Sequence, residues 1–180
     1  VPVIASTTYP SLVTEGPELI FSVDGLPLGT VSEGVTADIT TTPTSIPYDT
    51  VPFDTEYEAI YRLNIDTNAT EGYQMLMYAT QPLTNSYGDE VPSVTGTNGS
   101  PSGWSTGCNV SAIGCFGYHT GDDVLSGGST RFAANDSYAA VSTTTPEEIM
   151  YSSTPAEDTV DIVFKIQVSE LQPAGEYNSE

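Results

Sequence analysis

Along the stretch from Glu56 to Asp66 the residues change character at every step. Tyr57, Ala59, Tyr61, Leu63 and Ile65 share one side of an extended backbone, and Glu58, Ile60, Arg62, Asn64 and Asp66 share the other. A period of two is the signature of a strand and cannot lay an apolar stripe along a helix. The pattern returns from Thr159 to Val168, where Val160, Ile162, Phe164, Ile166 and Val168 oppose Asp161, Val163, Lys165 and Gln167. A shorter run from Tyr73 to Ala79 places Tyr73, Met75 and Met77 together. Following the turn-rich residues 66–72, it predicts an antiparallel hairpin with the first strand.

Shorter candidates are Leu19 to Val23, Val35 to Thr40, Thr130 to Ala134, Tyr138 to Ser142 and Ile149 to Ser152, bounded by Gly, Pro, Asp and Ser. About eight strands is the count of one antiparallel β-sandwich. The abundance of Thr, Val and Tyr beside few Lys, Arg and Leu agrees with an all-β chain. The expected organisation is an extended N-terminal segment over residues 1–14 and a β-sandwich domain over 15–180. Residues 80–128 lose the period and read as a long surface loop, pinned by a bridge between Cys108 and Cys115.

Charge excludes several functions. Three cationic side chains, Arg62, Arg131 and Lys165, stand against 24 acidic residues, giving a formal net charge of -21. Nucleic acid and anionic lipid would find too few cations to neutralise them. No apolar run is long enough to span a bilayer. The absence of a basic, apolar leader makes Val1 read as a processed mature end. Two cysteines with six residues between them fit a small disulfide loop in an oxidising, extracellular or cell-surface setting. Asn68, Asn98, Asn109 and Asn135 each begin an N-glycosylation acceptor tripeptide, a pattern that also recurs by chance in a chain so rich in Ser and Thr.

At the C-terminus the long strand is followed by Leu171-Gln172-Pro173-Ala174-Gly175-Glu176-Tyr177. Pro173 and Gly175 suit a reversal, and Tyr177 would open a returning strand. This Gln-Pro-Ala-Gly-x-Tyr region resembles the C-terminal region of secreted bacterial pilin-like and surface β-sandwich proteins, including spore-coat-U-type pilins. The resemblance covers about the last twenty residues and implies an Ig-like or pilin-like sandwich with a further strand after the tyrosine. That strand does not follow in this sequence, so either the sequence stops short of it or an open groove is expected beside residues 159–168, with Val160, Ile162, Phe164, Ile166, Val168 and Tyr177 as its acceptor surface. Donor-strand complementation by a neighbour would fill it. Val1, Val3, Ile4, Leu12 and Val13 supply a donor segment, with pairing inside the chain's own sheet as the equal alternative.

Chemistry is sparsely provided. His119 is the only histidine, and no nucleophile elbow surrounds any serine. Pairs such as Glu147 or Glu148 with Asp122 or Asp123 could be imagined as a glycosidase couple, but sequence fixes no separation. Calcium is the one cofactor that the acidic loops suggest, through Asp122, Asp123 and Asp89. Lys165 reads as a solvent-side lysine, and Trp104 as either a plug on the domain or a platform for sugar rings. The expectation is a non-enzymatic structural subunit of an extracellular filament or surface assembly whose partners are copies of itself. A glycan- or calcium-binding surface module is the alternative.

Overall fold

The computed structural model describes residues 16–109 and 113–180. Its strands, in chain order, are β1 (Leu19–Gly25), β2 (Val31–Ser32), β3 (Val35–Thr36), β4 (Tyr57–Thr67), β5 (Tyr73–Met77), β6 (Thr84–Asn85), β7 (Ser102–Gly103), β8 (Gly114–Thr120), β9 (Ser137–Tyr138), β10 (Glu147–Ser152), β11 (Ala156–Val168) and β12 (Tyr177–Asn178). One helical turn, α1 (Trp104–Gly107), follows β7. The chain is all-β, as its periodicity predicts.

A four-stranded antiparallel sheet in the order β1-β4-β11-β8 forms the frame. β11 occupies an interior position because both of its edges are paired. Val160 lies opposite Leu63 and Phe164 opposite Ala59 on β4, while Ile162 faces Thr120 and Phe164 faces Tyr118 on β8. Backbone groups buried this deeply need partners on both sides, and the two long neighbours supply them.

Both faces of this sheet are covered over its centre, around β11 and the adjoining parts of β4 and β8. On one, the β5–β10 pair packs through Tyr73, Ile149 and Met150 against Leu63, Ile65, Tyr118 and Phe164. On the other, Ala37, Trp104 and Tyr138 close over Ile60 and Val163, which are register partners with no solvent exposure. The disulfide between Cys108 and Cys115 belongs to this second cluster. The solvent face expected on β11 is therefore a second core face: Val163 is fully buried and Lys165 is 5% exposed.

Three other expectations change. β5 does not form a hairpin with β4 but pairs with β10 in the facing sheet. The chain crosses between the sheets at residues 68–72, where Gly72 adopts φ 68° and any Cβ would collide with the carbonyl of Ser152. Residues 130–134 form turns rather than a strand. Residues 80–128, expected as a surface loop, contain β8 and contribute Val91, Val94 and Trp104 to the interior.

The expected acceptor groove beside residues 159–168 is also corrected. Ile162, Phe164, Ile166 and Val168 are buried in ladders to β8, and Val160 packs against the core beside β4. The Tyr177 hydroxyl donates to the carbonyl of Pro173 at 2.6 Å and lies 2.6 Å from Gln172 Nε2, while β12 pairs with β6. The Gln-Pro-Ala-Gly-x-Tyr run is thus a corner held by its tyrosine, a device seen in other β folds.

Candidate functional site

Among the described residues the open edge of the sheet is β1, at the side away from β8. Its register with β4 sets Leu19, Phe21 and Val23 opposite Thr67, Ile65 and Leu63, the row that faces the first core. Only Val23 reaches that core; Leu19 is 60% exposed and Phe21 47%. Ile20, on the reverse face, is 54% exposed. Three consecutive large apolar residues in solvent on an edge strand are unusual, because such edges template the pairing of another chain. Among the described residues, β4 is the only ladder partner of β1.

The reverse face of this edge is polar and acidic. Ile20, Ser22 and Asp24 lie opposite Asp66, Asn64 and Arg62, which in turn lie opposite Glu157, Thr159 and Asp161. Arg62 is clamped to Asp161 by two hydrogen bonds of 2.8 and 2.9 Å. Asn64 donates to Asp24 at 2.8 Å and accepts from Thr159 at 3.0 Å. Four carboxylates therefore share this patch with one guanidinium that is already engaged.

Farther along the same face the strands carry a buried ionic cluster. Lys165 Nζ sits 2.5 Å from Glu56 Oε2 and 3.1 Å from Glu58 Oε1, and lies 5.1 Å from the Trp104 ring centroid and 5.3 Å from that of Tyr138. A buried ammonium needs such compensation. Burial, reinforced by a hydrogen bond with Asp38 and opposed by Lys165, pushes the Glu58 carboxyl up to about 7. Lys165, Glu56, Glu58, Asp38 and Tyr138 border an open cleft of about 520 Å³ that Glu33 and Asp136 also line. At its margin His119 is buried, with Nδ1 2.8 Å from the Ser137 carbonyl and Nε2 3.5 Å from Glu33 Oε2.

The residues singled out from sequence scatter. The donor residues Val1, Val3, Ile4, Leu12 and Val13 lie outside the described residues. Asn68 and Asn135 are exposed, with Asn68 holding the approach to β1 by accepting from the Glu18 amide at 2.7 Å; Asn109 is exposed too. Asn98 is 5% exposed, and its Nδ2, the atom that would carry a sugar, donates to Tyr118 Oη at 2.8 Å and to the Glu148 carbonyl at 2.7 Å. That acceptor is closed in the folded chain.

Asp122 spends its carboxylate on the amides of Val124 and Tyr151, at 2.9 and 2.8 Å, and Asp89 accepts from Asn85 at 2.8 Å. No group of three or more metal-ligating side chains converges among the described residues. Glu148 is tied to Gln74 at 2.5 Å, to the Ser126 amide at 2.8 Å and to Arg131 at 3.4 Å. Burial alone would raise its pKa, but these bonds hold it below the ordinary carboxylate value. Trp104 is a plug: it is 3% exposed, donates to Gln167 Oε1 at 3.0 Å and meets Tyr138 edge to face.

The β1 edge escaped sequence reasoning because Leu19 to Val23 looks like any short core strand. Its one signal was the lack of alternation in Leu19-Ile20-Phe21, which puts apolar side chains on both faces. No helix among the described residues is long and apolar enough to cross a membrane. No family model, curated protein or solved structure matches the chain.

Proposed function

We propose that this chain is a structural β-sandwich subunit of an extracellular filament or surface assembly, joined to its neighbours by strand addition. The single observation that carries the reading is the β1 edge, where Leu19, Ile20 and Phe21 stand in solvent and β4 is the only ladder partner among the described residues. The site of addition moves to this edge from the side of β11, whose ladders are filled. A disulfide joining Cys108 to Cys115 supports an oxidising, extracellular setting. Backbone pairing would give such a joint its strength, and the row from Leu19 to Val23 its register.

Hydrogen exchange tests the reading on assembled material from the native surface and on the same chain dispersed to monomer. Amides of residues 19–24 are expected to exchange markedly more slowly in the assembled state. Equal exchange in both states, or native material that sediments only as monomer, would discard it.

A further inference from the structure

The β1 edge also carries information about the strand that would complete it. An incoming strand lies beside two different rows: Leu19, Phe21 and Val23 on the core side, and Ile20, Ser22 and Asp24 on the reverse. The first row asks for apolar partners at alternate positions. The second presents Asp24 directly to the new strand, backed by Asp66 one strand further in and by Glu157 and Asp161 two strands further, where the one cation, Arg62, is clamped to Asp161. Cross-strand pairs of opposite charge stabilise a ladder and like charges oppose it, so this row selects cations.

A second copy of the chain cannot supply them. The whole sequence holds three cationic side chains. Arg62 is held by Asp161, Arg131 lies 3.4 Å from Glu148, and Lys165 is buried between Glu56 and Glu58. β1 offered to itself would bring another Asp24, between two bodies each of formal charge -21. We infer that the strand completing the β1 edge comes from a different protein and alternates apolar residues with lysine or arginine. This rests on the strand-addition reading and narrows it, because the neighbour at this joint is then chemically unlike the chain itself.

The test uses the full chain and three fluorescent peptides of about nine residues, a usual strand length. All three carry Val and Ile at alternate positions, with Lys, Thr or Glu between them. In low salt the Lys peptide is expected to bind several-fold more tightly than the Thr peptide, an advantage that one cross-strand pair with Asp24 and the acidic field of Asp66 and Glu157 behind it would supply. That advantage should shrink as salt is raised and fall in Asp24→Asn, which keeps an acceptor for Asn64. Hydrogen exchange should place the peptide's protection on residues 19–24.

Equal affinity for the Lys and Glu peptides, with protection on 19–24, would overturn the charge assignment and leave the open edge standing. Failure of all three peptides to protect those amides would remove the open edge and the assignment together. Residues 19–24 already protected in the free monomer, or a self-association that protects them, would show the edge completed by this chain's own residues and would overturn the inference.

Discussion

β11 and β1 are written in similar apolar residues, yet the first lies between two ladders and two packed layers while the second borders solvent on an edge and both faces. Ile162, near the middle of β11, is 2% exposed; Phe21, near the middle of β1, is 47% exposed. The difference is one of neighbours rather than composition. β4 and β8 close both sides of β11, whereas β1 has β4 alone among the described residues. A buried apolar side chain is spent on the fold, and an exposed one on an edge remains available to a partner.

Mutations should separate the two strands by stability. Ile162→Ala removes packed atoms from the centre of the first core and is expected to cost about 2–5 kcal/mol in urea unfolding. A loss below about 1 kcal/mol would erase the contrast.

A middle-sized effect comes from the ionic cluster beside β11. The Glu58 carboxyl is raised from its ordinary 4.5 to about 7, so the folded state favours its protonated form. That contribution is complete below the ordinary value and is lost as pH rises through about 7. The urea midpoint should therefore fall between about pH 5 and pH 8, and fall less in Glu58→Gln, which cannot titrate. Parallel profiles for the two proteins would show that Glu58 is not the group responsible.

The smallest effect belongs to β1. Phe21→Ser should lower the monomer's unfolding free energy by about 1 kcal/mol, well below the loss at Ile162, as expected for a ring about half exposed. It should nevertheless weaken binding of the lysine-bearing peptide. A large stability loss would show that Phe21 serves the fold and would blur the distinction between the strands.

Much of the frame was legible in the sequence. The alternation over residues 56–66 and 159–168 located β4 and β11 to within a few residues, because the period of a strand is a local property. Pairing is not local: the turn at 66–72 read as a hairpin but carries the chain across to the other sheet. The covered reverse face was missed because its cover, around Val94, Trp104 and Tyr138, comes from Gly- and Ser-rich segments with no period. Ile60 and Val163 were the available clue. Each interrupts a polar row, and the two meet across the β4–β11 ladder.

Lys165 was misread for the same reason, since a lysine among polar residues signals solvent unless a hidden layer lies above it. Among the site residues, the pair Cys108 and Cys115 was read correctly, while the groove beside β11 rested on a corner motif whose tyrosine is satisfied locally.

The disulfide has a mechanical consequence for the two layers. Cys115 lies in β8, and Cys108 follows the helical turn that begins at Trp104. While the sulfur bridge is intact, the indole remains on a leash of four residues, on the order of 14 Å at full stretch. The β5–β10 flap on the opposite side has no such rivet to the sheet among the described residues. Thermal breathing should thus be lopsided, with one layer lifting away while the other is reeled back.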